Sequence, residues 1–314
     1  MPSRRIRRAG VRAMLWLLAA GAAAGPAPEL AAQNTTFRMD VKLVNVLVNV
    51  TDQNGAIVGG LTRKDFAVFE DGRPQVIAVF EKQSELPLKL TLAIDTSGSV
   101  FKDRQLEETA ARHFAHALLR PQDQMSLIEF ATYVRELTPF TNRLPQIDKG
   151  LSRLRGGDAT ALYDAISLAS QNLGRKEGRK VLVLVSDGGD TAQNTTYQQA
   201  LEQALRNEVM IYSIIDVPIE ASAGRDTGGE HALITLAEQT GGKSFYADQG
   251  GLEKAFEKVS DDLRTQYLLG YYPRNQEPGV DFHRLKVTIP RASADSFHLF
   301  YRTGYYADSP ITSR

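Results

Sequence analysis

The chain has 314 residues, 42% of them hydrophobic, with 37 basic and 37 acidic side chains and no cysteine. This length and apolar content suit about two domains with a sizeable core, and a formal charge of zero gives no basis for nucleic-acid binding. The lack of cysteine excludes disulfides, thiolate catalysis, cysteine-ligated zinc and lipid attachment to an N-terminal cysteine.

Arg4, Arg5, Arg7, Arg8 and Arg12 precede an apolar run from Ala13 to Ala24. That run is about a dozen residues, short of the ~20 needed to cross a bilayer. A positive segment, a short apolar core and small residues after it read as a secretory signal peptide. Ala24 and Ala32 both offer a cleavage point, and Ala32 is favoured, so residues 1–32 are expected to be removed. The leader carries five arginines and one acid, Glu29, so the mature chain has a formal charge of −4. It is expected to be exported, periplasmic or extracellular, with no membrane span. An uncleaved membrane anchor is the alternative.

Residues 37–85 read as β-rich. Val41 to Val50 alternates apolar and polar residues, the period of a half-buried strand. Asp52-Gln53-Asn54-Gly55 supplies a turn, Asp65 to Glu70 alternates again, Asp71-Gly72 is a hairpin signal, and Pro74 to Phe80 continues as a strand.

From 88 to 263 the pattern changes. Strands are expected at Leu88–Ile94, Met125–Phe130, Lys180–Val185, Val209–Ile215 and Lys243–Tyr246. Helices are expected at Lys102–Leu119, Leu144–Leu154, Leu162–Leu173, Tyr197–Asn207, His231–Gln239 and Gly251–Leu263. Apolar strands alternating with amphipathic helices predict an α/β fold, a doubly wound and mainly parallel sheet covered on both faces. Residues 265–307 return to β, with strands at Gln266–Tyr272, His283–Ile289 and Phe297–Tyr306. They are expected to pack with residues 37–85 as a smaller, sandwich-like β domain in which the α/β domain is inserted; two separate appendages are the alternative. The late tyrosines Tyr267, Tyr271, Tyr272, Tyr301, Tyr305 and Tyr306 read as strand-face packing.

Ligand sites of such sheets lie beyond the carboxyl ends of the strands. Three loops there draw the eye. Asp95-Thr96-Ser97-Gly98-Ser99 follows the first apolar strand and offers a carboxylate and two hydroxyls at alternate positions. Gly156-Gly157-Asp158-Ala159-Thr160 precedes a helix, and Ser186-Asp187-Gly188-Gly189-Asp190 follows another strand. Oxygen-only ligands suit a hard divalent cation, Mg²⁺ first, with Mn²⁺ or Ca²⁺ as alternatives. Singly, each loop has a plainer use: Ser97 and Ser99 can cap a helix, and Asp187 before Gly188 can make a turn.

Together the three loops resemble the von Willebrand factor type A domain and its metal-ion-dependent adhesion site, whose pattern is D-x-S-x-S, a Thr and an Asp. The matching positions are Asp95, Ser97, Ser99, Thr160 and Asp187. The resemblance covers about Leu88 to Leu263 and implies a Rossmann-like fold. It further implies that Ser97 and Ser99 bind the metal directly, that Asp95 and Asp187 bind directly or through water, and that Thr160 joins when a ligand is bound. A partner Asp or Glu carboxylate then completes the octahedron. Asp158 and Asp190 are candidates for outer-sphere or partner contacts. Val58-Gly59-Gly60-Leu61-Thr62, Asp65-Phe66, Glu70-Asp71-Gly72, Thr160-Ala161-Leu162-Tyr163-Asp164-Ala165, Gly178-Arg179-Lys180 and Gln266-Tyr267-Leu268-Leu269-Gly270-Tyr271 further resemble the exported bacterial VWFA-related proteins common in acidobacteria.

No catalytic residue is expected. Aspartate-dependent phosphatases place a second carboxylate two residues after the first, where this chain has Ser97. There is no G-x-S-x-G elbow, H-E-x-x-H pair or phosphate loop. The expected function is an exported, metal-dependent protein-binding module for adhesion or assembly. An envelope component with a purely stabilising metal is the alternative, and a metal-dependent hydrolase is a weaker one.

Overall fold

The computed structural model describes residues 43–82, 85–98, 104–192, 194–216, 227–247, 251–274, 281–291 and 296–307. The expected leader, residues 1–32, and the candidate ligand Ser99 lie outside them.

In chain order the elements are β1 (Val44–Asp52), β2 (Ala67–Glu70), β3 (Arg73–Gln75), β4 (Ile77–Lys82), β5 (Leu88–Asp95) and α1 (Arg104–Leu118). Next come β6 (Gln124–Phe130), β7 (Val134–Thr141), α2 (Leu144–Leu151), α3 (Leu162–Gly174), β8 (Arg179–Ser186) and α4 (Tyr197–Arg206). The remainder is β9 (Met210–Ile215), α5 (Thr227–Thr240), β10 (Ser244–Tyr246), α6 (Gly251–Arg264), β11 (Tyr267–Tyr271), β12 (Phe282–Thr288), β13 (Phe297–Phe300) and β14 (Gly304–Tyr306).

The central sheet runs β10-β9-β8-β5-β6-β7, and every neighbouring pair is parallel except β6 with β7. This is the mainly parallel α/β sheet that the sequence pattern predicts. Its strands read as near-continuous apolar runs because both faces are covered. Every residue of β8 is buried. Leu88, Leu90, Leu92, Val181 and Val183 face one layer, formed with Phe114 of α1 and Phe256 and Val259 of α6. Ala93, Leu182 and Leu184 face the other, formed with Ile166 of α3, Leu201 of α4 and Leu233 of α5. The rings of Phe114 and Phe256 stack 4.5 Å apart, fixing α1 against α6.

The sequence reading contained no strand at β7. This edge strand is antiparallel, carries Pro139, and shifts register twice against β6. Its inward alternation is broken by those irregularities, and an edge is where a strand tolerates proline. The expected last strand is divided: residues 301–303 break it into β13 and β14, which belong to different sheets.

Two antiparallel four-stranded sheets complete the fold, ordered β13-β1-β11-β4 and β14-β12-β2-β3. In both, strands from before and after the central sheet lie side by side: β1 pairs with β11, and β2 with β12. Val46, Val48, Phe66, Val68, Leu269, Tyr271 and Val287 share one apolar cluster between them. Tyr267 and Tyr271 are buried strand-face residues, whereas Tyr272 is half exposed, at 51%. At the base of the central sheet, the Arg179 guanidinium donates from Nη1 to the Leu263 carbonyl (2.6 Å) and to Gln266 Oε1 (3.1 Å). Asn49 of β1 donates to the Tyr212 hydroxyl of β9 at 2.9 Å. The end of α6 and strand β1 are thereby tied to the sheet's lower edge.

Candidate metal centre

From β5 the chain steps to β6 and β7 on one side, then returns to β8, β9 and β10 on the other. The order reverses between β5 and β8, and such a switch point opens a crevice at the carboxyl ends of the two strands. Asp95 ends β5, and Asp187 follows the last residue of β8. The topology therefore brings these two acids to one place although they are distant in sequence.

The Asp95 carboxylate is fully buried. Its Oδ1 accepts the Ser97 backbone N–H at 2.9 Å, and its Oδ2 accepts the Ser186 hydroxyl at 2.6 Å. Burial pushes its pKa up from the usual carboxylate value to about 6; the hydrogen bonds from Ser186 and Ser97 act against this, and nearby Asp187 adds to it. Neither Asp95 nor Asp187 forms an ion pair among the described residues. Two neighbouring carboxylates without a cationic partner are the electrostatic deficit that a bound cation would fill.

Each loop is clasped to the next. Ser97, 2% exposed, forms a parallel bridge with Gly157, and the Gly157 N–H donates to the Thr96 carbonyl at 3.0 Å. At Gly157 an added Cβ would stand 2.6 Å from that of Ala131, so the approach needs glycine. Thr160, 5% exposed, donates its N–H to the Thr191 hydroxyl at 2.8 Å, and its carbonyl accepts the Thr191 N–H at 2.9 Å. Ser186 joins the third loop to the first through Asp95, and its hydroxyl accepts the Gly188 N–H at 3.1 Å. Gly188 has φ +95°, and a Cβ there would lie 2.3 Å from Gly229 backbone, where the loop closes on the start of α5.

The candidates fall into two groups. Asp95, Ser97, Thr160 and Asp187 lie in the three joined loops, the first three buried and Asp187 half-buried. Asp187 Oδ1 accepts the Gly189 N–H at 3.2 Å. Asp190 is turned to the start of α3, accepting the Tyr163 N–H at 3.3 Å. Asp158 is exposed on the second loop.

Two supporting roles escaped the sequence reading. Ser186, which heads the third loop, has one. Glu129, 3% exposed in β6, has the other: its carboxylate pairs with Arg135, accepts the Arg155 N–H, and accepts the Thr96 hydroxyl at 3.3 Å. One charged side chain inside Gln124-Met125-Ser126-Leu127-Ile128-Glu129-Phe130 was the available signal, since a buried carboxylate needs donors.

The donor set is all oxygen, two carboxylates with neutral hydroxyls, and fits a hard divalent cation of the Mg²⁺ kind. A second acid–histidine group lies in the β sheets, formed by Glu70, Asp71 and His283. Its donors are committed internally: Glu70 Oε2 accepts the Tyr271 (2.5 Å) and Tyr305 (2.9 Å) hydroxyls, and His283 Nδ1 meets Asp71 Oδ2 at 2.7 Å.

Residues 90–190 match the von Willebrand factor type A domain family. Among solved structures, the conserved hypothetical protein BatB from Bacteroides thetaiotaomicron is 17% identical, with 56% of this chain aligned to 97% of that one at a TM-score of 0.46. The PilB minor pilin from Streptococcus sanguinis is 13% identical over 58% of this chain and 62% of its own, at a TM-score of 0.46. Proximal thread matrix protein 1 from the mussel byssus is 15% identical over 62% and 49% respectively, at a TM-score of 0.49. No curated protein matches the chain in sequence.

Proposed function

We propose that the von Willebrand factor type A domain carried by this chain is an exported protein-binding module whose three loops hold a divalent cation for a partner's carboxylate. Domains of this type typically mediate protein–protein interaction. The observation that carries the metal-dependent reading is the fully buried Asp95 carboxylate, raised in pKa beside Asp187 and paired with no positive side chain among the described residues. Asp95, Ser97, Thr160 and Asp187 would hold the ion, with Ser99 completing the set on the first loop. The cation would supply an electrophilic position for an incoming Asp or Glu side chain. Mostly neutral hydroxyl ligands leave it more of that capacity than an all-carboxylate cage would.

The plain stabilising role is less well supported. The loops already close on each other through the Ser97–Gly157, Ser186–Asp95 and Thr160–Thr191 contacts, so the fold does not need an ion to join them. We infer a non-catalytic role: among the described residues, no histidine or lysine is hydrogen-bonded to Asp95, Thr160 or Asp187. The β strands on either side of the central sheet are read as one domain, connected to the binding module through α6 and β11. Export follows from the leader-like residues 1–32, and no helix among the described residues is long and apolar enough to cross a membrane.

The test is capture of envelope proteins on the immobilised chain lacking residues 1–32, in Mg²⁺ and in chelator, with Asp95→Ala in parallel. A partner retained only by the unaltered chain in Mg²⁺ is the expected result. The same partners in all three conditions would reduce the metal to a structural role.

A further inference from the structure

At the opposite end of β8 from Asp187, the junction between the central sheet and the β sheets forms a partly open cavity of about 50 Å³. Asn45, Leu47, Lys180, Glu208, Met210 and Arg302 are among its lining residues, and Arg179 also borders it. Three cations thus face it against one carboxylate.

Those cations are not equivalent. Arg179 is satisfied by the Leu86 and Leu263 carbonyls and by Gln266. Arg302 donates from Nη1 to Glu208 at 3.1 Å and from Nη2 to the Asn45 carbonyl at 2.8 Å, while its buried Nε makes no hydrogen bond. Lys180 is only 3% exposed, yet its ammonium makes no hydrogen bond or ion pair among the described residues. Burial pulls its pKa below the ordinary lysine value; Glu208 acts against this and Arg302 adds to it. An ammonium on so buried a side chain, without protein acceptors, is costly to a fold, and its nitrogen is not among the fully enclosed unsatisfied atoms. This one sits on the wall of a cavity whose one carboxylate already serves Arg302.

We propose that this junction cavity is a binding site for a small monocarboxylate, held by the Lys180 ammonium. The class follows from charge and size. The excess of positive side chains calls for an anion, and three ammonium donors suit an oxyanion. The free space admits roughly three to five water-sized probes, which suits formate or acetate better than a tetrahedral oxyanion. Apolar Leu47 and Met210 on the wall suit the hydrocarbon end of such an acid. From Lys180 to Asp187 is seven strand steps, ~23 Å at the rise of a parallel strand, so this site is separate from the metal loops.

The experiment is thermal unfolding of the purified protein as acetate or formate replaces chloride at constant pH and ionic strength, with phosphate as a comparison arm and calorimetric titration of the same acids. The expected result is a saturable rise in Tm with the monocarboxylates, a smaller or absent one with phosphate, and one binding event per chain by calorimetry. Lys180→Met should melt no lower than the unaltered protein in chloride, having lost an unpaired buried cation, and should not respond to acetate. Lys254→Met, on the exposed face of α6, should keep the full response. No saturable response in the unaltered protein, or an undiminished one in Lys180→Met, overturns the proposal. Should Lys180→Met not fold, Lys180→Gln with calorimetry applies the same criterion.

Discussion

Replacing Asp95 with Asn separates the two consequences of burying a carboxylate at the end of β5. In the absence of metal, folding raises the Asp95 pKa from 3.8 to about 6. An acid held this way binds its proton more tightly when folded. Its penalty is therefore absent below pH ~3.8, grows as pH rises through the window up to about 6, and is complete above it. Two units correspond to about 3 kcal/mol. Asn keeps an oxygen for the Ser97 N–H, and Ser186 can turn its hydroxyl to accept from the new amide; imperfect replacement costs about 1 kcal/mol. Metal-free Asp95→Asn should thus exceed the unaltered protein by about 2 kcal/mol at pH 8, from these two terms. On the proposed metal site, Mg²⁺ at roughly a hundred times its Kd should add about 2.7 kcal/mol to the unaltered protein and little to Asp95→Asn. The order of stability then reverses with metal. Urea unfolding in chelator and in Mg²⁺ measures all four values. An Asn variant less stable in chelator, or one with an equal Mg²⁺ gain, would refute the reasoning.

Gly188→Ala should cost about 2 kcal/mol or more and weaken the Mg²⁺ response, since φ is +95° and the new Cβ meets Gly229 backbone at 2.3 Å; urea midpoints with and without Mg²⁺ check both. Asp123→Asn should cost about 1–3 kcal/mol at neutral pH, because this buried carboxylate accepts the Leu88 N–H at 2.8 Å and the Arg120 side chain at 3.0 Å. Burial acts to raise the Asp123 pKa, but these hydrogen bonds outweigh it and hold it below the usual value. Its stabilisation is accordingly full above pH ~4 and lost as pH falls further, so the variant should show a flatter acid limb in a pH series of unfolding curves.

The central sheet was legible because its code is local. Leu88-Lys89-Leu90-Thr91-Leu92-Ala93-Ile94 and Lys180-Val181-Leu182-Val183-Leu184-Val185 can be buried on both faces only in a covered parallel sheet. The site loops were legible for a related reason: glycine, serine and aspartate at the ends of apolar strands have few structural uses in common. What stayed hidden depends on register and distant partners. β7 lost its alternation to two register shifts, and the division of the last strand between two sheets follows from pairings to β1 and β12 that lie far away in sequence. Glu129 and Ser186 were visible as residue types, but their roles come from donors and acceptors that only the folded loops bring near. Lys180 was legible as the start of a strand, but its burial depends on the sheets that pack over that end of β8.

The clasped loops also bear on how a cation would act. Had the three loops been separate, ion binding would have to order them, and the ordering cost would reduce its affinity. Here Ser186 reaches Asp95, Thr160 meets Thr191 and Ser97 bridges Gly157 without help. Among the described residues, no positive side chain pairs with Asp95 or Asp187. A bound cation would therefore contribute mainly electrostatics to loops that are already shaped. With both carboxylates ionised, a divalent ion is locally neutralised, and the mature chain carries −4 on the leader-cleavage reading. Long-range attraction for an acidic partner is then weak. Under the proposed function, selectivity for a carboxylate would come from coordination at contact, which would make the position of the last oxygen ligand more important than the charge of the surrounding surface.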